Sequence, residues 1–497
     1  MEIHFQYYFH LIYDRLIFFY SVLIMLSYLT LLVLSIFEIK KYLKRNSYID
    51  HKLLLSSPYA PGISVIAPAY NEAATIDYNV HSLLSLDYPC FEVIIINDGS
   101  TDDTLEILID KYQLKPTAFA YYEQIITQPV KQLFKSSNPV YSRLLVIDKE
   151  NGGSKADASN AGINAALYPI FLCTDVDCIL RRDTLLKMVK PFIEEKVKVI
   201  AAGAVIRIVN SCEVESGVLT KVKIPAKFLP LFQELEYVRA FLVGRMAWSK
   251  VNALLLVSGG LGMFDKKTVI AAGGYDHASF GEDMELVTRM RGYMERQKTP
   301  YAVRYIPESL CWTEVPDNIR VFGSQRTRWT KGLAQNLWIH KKMIFNPRYG
   351  RFGMIALPYW LLFEWFAPII EFTGILYYIY LILTHSINWD FAIILLAFVY
   401  TFSVMITVTA VLWDEITQKQ YTSKTEVMKL CTAAFFEPFL YHPLALFFSL
   451  RGNYFFFTGK KLHWGNMIRT GFAGSKNLIK ATVSKVKIRR KKQHEKR

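Results

Sequence analysis

Two stretches without a charged residue, Leu16–Phe37 (22 residues) and Phe391–Trp413 (23 residues), constrain this chain more than any other feature. A helix crosses the hydrocarbon core of a bilayer with about 20 apolar residues. Lys40, Lys41, Lys44 and Arg45 follow the first stretch at once. The bias of positive charge toward the cytoplasm predicts an N-terminus outside and a cytoplasmic chain after Lys40. The first stretch lacks a basic leading region and a small-residue cleavage site, so it reads as a retained anchor and not as a signal peptide. A further apolar region, Gly353–Thr384, carries Glu364 and Glu371 and is broken by Pro358 and Pro368. It reads as an interfacial helix to Phe366 and then a crossing over 366–383, from which the crossing at 391–413 returns the chain to the cytoplasm. Ala433–Leu450 contains Glu437, Pro438, His442 and Pro443. It reads as an interfacial or shallow re-entrant element, because a crossing there would carry the basic C-terminal tail outside.

That tail, Lys476–Arg497, holds ten Lys or Arg and one Glu, a large part of the net charge of +15. Beside apolar segments it faces anionic membrane lipids. No zinc-finger, RRM-like or helix-turn-helix signature accompanies it, which excludes nucleic acid as a partner. Hydrophobic residues at 52% and charged residues at 20% exclude intrinsic disorder. The six cysteines form no Cys-x-x-Cys pair, so neither a zinc site nor a disulfide framework is expected, in keeping with a reduced compartment.

Between the membrane segments the pattern changes. Residues 47–62 read as a linker, with Pro58, Pro61 and Gly62. From Ile63, β-rich runs at Ile63–Ala67, Glu92–Asn97, Leu144–Asp148, Ile170–Thr174 and Val199–Val205 alternate with amphipathic segments such as Ile76–Leu86. Alternating β and α elements predict an α/β domain with an open, mostly parallel sheet. Gln113–Arg143, with Pro116, Pro129 and Pro139, reads as an insertion, and Ser258–Gly262 as a Gly-rich strand. The expected organisation is an anchor at 1–46 with its crossing at 16–37, a linker at 47–62, the α/β domain at 63–340, interfacial and membrane helices at 341–452 and a basic cytoplasmic tail at 453–497.

In an open α/β sheet, ligands bind outside the carboxyl ends of the strands. Four successive runs here end in Tyr70-Asn71-Glu72, in Asn97-Asp98-Gly99-Ser100, in Asp148 followed by Glu150-Asn151-Gly152-Gly153-Ser154-Lys155, and in Asp175-Val176-Asp177. Any one of these is a common turn; four in order deliver acids, amides and a lysine to one crevice. Two acids one residue apart after a strand suit a hard divalent cation, Mg²⁺ or Mn²⁺, that keeps coordination sites open for substrate phosphates. No Walker loop and no Gly-x-Gly-x-x-Gly follows the first strand. A nucleotide diphosphate and a metal without a phosphoryl-transfer loop point to group transfer from a nucleotide-activated donor.

The series PAYNE (68–72), INDGSTDDT (96–104), GGSKADASNAGI (152–163), TDVD (174–177), GED (281–283) and QRTRW (325–329) resembles glycosyltransferase family 2 over roughly Ile63–Trp338. It is most similar to the membrane-embedded branch that includes chitin-oligosaccharide, hyaluronan, poly-N-acetylglucosamine and cellulose synthases. The resemblance implies a GT-A-like, Rossmann-related domain with flanking transmembrane helices in a cell membrane. It puts Tyr70, Asn71 and Glu72 by the nucleotide base and ribose, Asp98 on the uracil, Lys155 in the donor pocket, Asp175 near the ribose and diphosphate, and Asp177 on the metal with Asp175 beside it. It makes Asp283 the general base, with Glu282 and Gln325 toward the acceptor, Arg328 against the diphosphate and Trp329 stacked on the acceptor sugar. Relatives often carry Thr or Ser before the Glu-Asp pair, where this chain has Gly281.

The implied activity is inverting transfer from a UDP-sugar, UDP-N-acetylglucosamine in the first instance, to a growing β-linked glycan at the cytoplasmic membrane face. The alternative is a single transfer to a lipid carrier or nascent surface glycan. The implied partners are the UDP-sugar donor, a glycan or lipid-linked acceptor and membrane lipids, with room for an accessory subunit. A transporter is disfavoured, since Phe391–Trp413 offers no charged ion path.

Overall fold

The computed structural model describes residues 2–46, 52–118, 121–215, 217–421 and 423–460. Part of the expected linker and the whole Lys476–Arg497 block lie outside the described residues. The chain opens with α1 (Glu2–Asn46), and the sheet domain follows.

Strands β1 (Ile63–Ala69), β2 (Phe91–Asp98), β3 (Leu114–Pro116), β4 (Val130–Ser136), β5 (Leu144–Lys149), β6 (Ile170–Thr174), β7 (Ile179–Leu180), β8 (Lys198–Ile208), β9 (Glu213–Glu215), β10 (Val218–Lys221), β11 (Leu261–Asp265) and β12 (Tyr301–Thr313) follow in chain order. Ten of them form one sheet in the order β3-β4-β5-β2-β1-β6-β11-β8-β12-β7, while β9 and β10 make a separate ribbon. The central run β5-β2-β1-β6 is parallel. Both of its faces are covered, so its strands are near-continuous apolar runs; all eight residues of β2 are buried. One cover is α2 (Lys155–Ala165), where Gly162 lets the helix sit close to the sheet: a Cβ there would lie 2.5 Å from Ile66 Cγ2.

The register determines where the site forms. Ala69 pairs with Asn97, Asn97 with Asp148, and Asp98 with Lys149. The carboxyl ends of β1, β2 and β5 therefore lie level, and the segments after them leave from one edge.

Within the sheet domain the structure departs from the sequence reading in two places. The 113–143 segment contributes β3 and β4, which extend the sheet antiparallel beyond β5. Its remaining loop docks on α2, with Asn164 Oδ1 accepting from Gln124 N and Ile125 N and Asn164 Nδ2 donating to Ile125 O. The Gly-rich 258–262 segment is strand only from Leu261; Gly259 and Gly260 form a turn ahead of β11. β11 runs antiparallel between β6 and β8, so the turn faces the end of β6.

Helix α1 continues from its apolar stretch onto the domain. Tyr42 donates to Glu308 Oε1 at 2.7 Å, and Ile39 is fully buried. It packs on α3 (Met246–Lys250). Beyond α4 (Glu282–Arg296) and α5 (Ile319–Ile339) come α6 (Ala367–Leu383), α7 (Trp389–Gln418), α8 (Lys424–Leu440) and α9 (His442–Phe457). Among the described residues, three segments are long and apolar enough to cross a membrane: Tyr13–Arg45, Phe352–Leu383 and Trp389–Gln418. The second runs as one helical segment through the region read as interfacial helix plus crossing. Helices α8 and α9 meet at a bend of 49°, the shape of a broken span or a re-entrant loop. Helix α5 lies against α9 at glycine contacts: a Cβ on Gly452 would lie 2.8 Å from Thr327 O, and one on Gly323 would lie 2.3 Å from the Phe448 ring.

Candidate active site

Behind β1 the chain turns through Asn71, whose φ of 56° is a left-handed conformation that asparagine tolerates better than most residues. Asn71 Oδ1 accepts from Thr101 N at 2.8 Å, and Ser100 Oγ accepts from Asn71 N at 3.0 Å. Thr104 Oγ1 accepts from Glu72 N at 2.9 Å, and Asp102 Oδ2 from Ala73 N at 3.1 Å. These bonds fasten the loop after β1 to the loop after β2. Tyr70 is 46% exposed, an accessible ring beside that seam.

Asp98 ends β2 buried. Its Oδ1 accepts from Lys149 Nζ at 2.7 Å and from Gly152 N at 3.1 Å. Burial pushes the Asp98 carboxyl up, and the Lys149 ammonium opposes that shift. Lys149 is fully buried and also reaches Asp157 Oδ2 at 2.5 Å, so one cation ties the end of β2 to the first turn of α2. Gly99 has a φ of 65°, and a Cβ on it would lie 2.8 Å from Asn151 N. The second and third loops thus meet where no side chain fits.

The end of β6 carries the acidic pair. Carboxylate oxygens of Asp175 and Asp177 and the Cys178 Sγ all lie within 4.8 Å of one another. Gly260 leaves the space beside them open: a Cβ on it would stand 3.5 Å from both Asp175 Oδ2 and Cys178 Sγ. Two hard carboxylate oxygens beside an open space fit a divalent cation of the Mg²⁺ or Mn²⁺ class, to which the soft Cys178 sulfur contributes nothing. Lys155 binds Asp175 through a short ion pair and donates to Gly259 O at 2.7 Å. Burial disfavours the charged Lys155, but the Asp175 carboxylate outweighs it and raises the ammonium pKa.

Gly259 also donates its N–H to Asp283 Oδ2 at 3.0 Å. A hydrogen-bonded line therefore runs from Asp175 through Lys155 and Gly259 to Asp283. The point where a Gly259 Cβ would stand is 3.3 Å from Lys155 Nζ and 3.7 Å from Asp283 Oδ2. Asp283 Oδ1 accepts from Met284 N at 2.8 Å, in the first turn of α4, where the helix end favours negative charge. Beside it, burial first and then the Asp283 charge push the Glu282 carboxyl up to about 7, against the pull of Lys155 and Arg328.

Helix α5 supplies the remaining residues. Arg328, partly buried, faces Glu282 electrostatically. Trp329 is 39% exposed, and the Arg326 guanidinium lies over its ring at 4.5 Å. Gln325 Oε1 is buried without a hydrogen-bond partner among the described residues, an acceptor left for a ligand. Arg326 is the buried arginine of this motif: it pairs with Glu236 and donates to Tyr441 Oη at 3.1 Å, joining the motif to α8 and α9.

Lys149, Asp157, Cys178, Gly259 and Gly260 were not legible as site residues. Lys149 carries the one available signal, a lysine closing an apolar strand beside the Glu-Asn-Gly-Gly turn. The glycines act by leaving room, which only the packed structure reveals.

Two family models match the chain: "Glycosyl transferase family 2" over residues 64–252 and "Glycosyl transferase family group 2" over 170–406. The chain is similar to poly-beta-1,6-N-acetyl-D-glucosamine synthase of Staphylococcus epidermidis, 28% identical over 295 residues, which cover 58% of this chain and 60% of the relative. It is also similar to the synthase of that name from Staphylococcus aureus, 28% identical over 54% of each chain. The match thus spans little more than half the length of these relatives. Among solved structures, the mannosyltransferase PcManGT from Pyrobaculum calidifontis, in complex with GDP-Man and Mn²⁺, matches at a TM-score of 0.45 and 18% identity over 88% of this chain and 100% of that one. The two models together match residues 64–406, so the mostly parallel sheet with its acidic pair at the end of β6, and the apolar helices after it, are similar to glycosyltransferase family 2.

Proposed function

We propose that this protein is an inverting glycosyltransferase that moves a sugar from UDP-N-acetylglucosamine to a growing β-linked glycan at the cytoplasmic membrane face. The observation that carries the reading is the line Asp175–Lys155–Gly259–Asp283, which joins the acidic pair to the candidate base across one crevice. The relatives' name, poly-beta-1,6-N-acetyl-D-glucosamine synthase, supports the sugar and the polymeric product.

In this reading Tyr70 lies against the base, Asn71 and Glu72 shape the base and ribose loop, and Asp98 accepts from the uracil imide while Lys149 holds it in place. Lys155 and Arg328 face the diphosphate. Asp175 and Asp177 would hold Mg²⁺ or Mn²⁺, which when bound neutralises charge on the departing diphosphate. Glu282, Gln325 and Trp329 orient the acceptor sugar. Each Asp283 oxygen accepts one backbone bond and retains a second lone pair, so the carboxylate can take the proton of the acceptor hydroxyl as that oxygen attacks the anomeric carbon. The bond to the diphosphate breaks on the opposite face, so an α-linked donor gives a β-linked product.

The membrane arrangement belongs to the same proposal. The four basic residues after the first crossing support a cytoplasmic sheet domain and an N-terminus outside. The test uses membranes with a panel of UDP-sugars, with Mn²⁺, Mg²⁺ or chelator, reading UDP release and product mass. UDP-N-acetylglucosamine should give metal-dependent release and a ladder of products; one sugar per acceptor would establish the single-transfer alternative instead. Asp283→Asn should retain UDP binding and lose turnover by about a hundredfold or more, the low end of a general-base contribution. Near-normal turnover in that variant would reject the base assignment.

A further inference from the structure

A cavity of about 230 Å³ lies where two apolar segments meet the sheet domain. Its walls come from the residues after α3, the end of α4, the start of β12 and the turn at 349–352. Glu295 in this wall lies twelve residues after Asp283 on α4, about 18 Å at 1.5 Å per residue, so the cavity is separate from the candidate active site.

Its level relative to a bilayer is marked from two sides. Phe352 in the wall opens the apolar segment Phe352–Leu383. Val251 and Asn252 in the wall follow Lys250, whose Nζ lies 3.8 Å from Glu38 Oε2 and over the Phe37 ring of α1 at 5.4 Å. Phe37 ends the uncharged stretch of α1, and Lys40 and Lys41 come just after it. Charged residues that flank an apolar stretch sit among the headgroups. The cavity is therefore at headgroup depth, with the exposed Phe37, Met354 and Ile355 on the two segments beside it for acyl chains to cover.

The cavity presents charges of both signs. Arg351 is exposed at its mouth and forms no ion pair among the described residues. Behind the wall, Arg291 is fully buried against the Tyr301 and Phe352 rings, 5.5 and 4.9 Å from their centroids. It donates to Leu254 O, Asn252 O and Tyr301 Oη, and its Nη2 has no hydrogen-bond partner among the described residues. None of these partners is a carboxylate, so a buried charge with no bonded counter-charge adds to the field of Arg351 through a low-dielectric wall. On the negative side, Tyr301 Oη donates to Glu295 Oε1 at 3.0 Å, which orients that carboxylate and leaves Oε2 for a donor. The Asn252 side chain is already satisfied by Val303 N and Tyr301 O, so recognition falls to the arginines and Glu295. A Cβ on Gly350 would meet nothing within 4 Å, so the space beside Arg351 is open.

An acyl chain would leave these charges unpaired, a simple anion would oppose Glu295, and a simple cation would oppose two arginines. A group that carries a phosphate and an ammonium side by side meets both signs, with the phosphodiester on Arg351 and the ammonium donating to Glu295 Oε2. We infer that this cavity binds the headgroup of a zwitterionic phospholipid with a primary amine, the phosphatidylethanolamine class. The site is independent of the donor sugar and product proposed above. Free phosphate shares half of this chemistry, and the headgroup depth favours the lipid.

The test uses the full-length protein in mild detergent, with native mass spectrometry counting bound lipid in titrations with phosphatidylethanolamine, phosphatidylcholine and phosphatidylglycerol. One phosphatidylethanolamine should bind most tightly. Phosphatidylcholine has no N–H for Glu295 and phosphatidylglycerol has no ammonium, so each should bind about tenfold more weakly, the loss of one hydrogen bond between charged groups. Glu295→Gln should erase the preference for phosphatidylethanolamine over phosphatidylcholine, and Arg351→Gln should weaken all three lipids. Arg351→Lys should keep the preference, and Lys342→Gln, an exposed basic position outside the cavity wall, should change nothing. Equal binding of the three lipids to the wild type, or equal losses in Lys342→Gln and Arg351→Gln, overturns the inference; the lipid panel on wild-type protein decides even where a variant fails to fold. Excess inorganic phosphate should leave the lipid bound, and its displacement would mark a site for free phosphate and overturn the lipid assignment.

Discussion

Lys149 is a fully buried cation held between two carboxylates, and its removal would leave Asp98 and Asp157 buried without their counter-charge. Breaking a buried pair from one side costs about 3–5 kcal/mol, far more than an exposed pair. Lys149→Met should therefore lower the thermal midpoint clearly in a melting experiment and raise the KM for the UDP-sugar more than it lowers kcat, because Asp98 loses its fixed position. An unchanged midpoint and KM would show that the bridge is incidental. Glu282 gives a pH dependence. Its carboxyl is pushed up to about 7 in the folded protein from an ordinary value near 4.5. A group with a raised folded pKa holds a proton that the unfolded chain has released. Its stabilising contribution is thus full below 4.5, declines as pH rises toward 7 and is gone above it. In the proposed role, Glu282 would donate to the acceptor sugar below 7 and only accept above it. Acceptor KM in the wild type should change through pH 7, and Glu282→Gln should flatten that change; an identical pH profile in the variant would refute the role. None of this was legible from residue type. Glu-Asp at a helix start is ordinary, and the shift arises because burial and Asp283 act on Glu282 together.

Among the elements, the parallel strands were legible because burial on both faces writes itself as unbroken apolar runs. Each run read from sequence corresponds to an observed strand, with ends extended by one to three residues at most. The strands in the 113–143 segment were hidden for the opposite reason. In β4, Val130–Ser136, only Leu133 and Phe134 are buried, so this strand, one place in from the edge of the sheet, reads as a proline-bearing insertion. The turn at Gly259 and Gly260 was read as strand because sequence does not separate glycines that pair from glycines that make room. The contact of α5 with α9 is another feature of packing alone. Gly452 leaves no room for a Cβ against Thr327 O and Thr330, and the former is backbone that cannot swing aside. Gly452→Val should cost about 1–3 kcal/mol by overpacking. It should also shift α5, reducing acceptor use more than UDP binding, measured as chain elongation against UDP affinity in detergent. Equal losses in both would indicate global destabilisation only.

At the scale of the whole molecule, the sequence conveyed two separate facts, a crevice and a set of crossings, and the structure supplies their connection. Strand-end residues such as Asp98, Asp175 and Asp177 were recognisable because strand order fixes which loops share an edge. Asp283 and the α5 motif were recognisable only through family resemblance, since they enter the crevice from elements distant in the chain. What joined them, the Lys155–Gly259–Asp283 line, depends on β11 running antiparallel beside β6, a topology that alternating strand and helix patterns do not specify. The bent pair α8 and α9 holds an arginine of the same motif, Arg326, through Tyr441, so the candidate site and the apolar helices share side chains.

Helix α1 extends as one unbroken helix from its apolar stretch onto the sheet domain, where Tyr42 is bound to Glu308. A rod embedded in fluid tilts when the fluid layer becomes thinner or thicker, because its apolar length must stay covered. That tilt would be delivered through the Tyr42 anchor to β12. Synthesis rate in vesicles should therefore vary with phospholipid acyl-chain length and peak at one thickness, and Tyr42→Phe should broaden that optimum. The protein would then act as a gauge, its turnover falling when growth temperature alters the lipids around it.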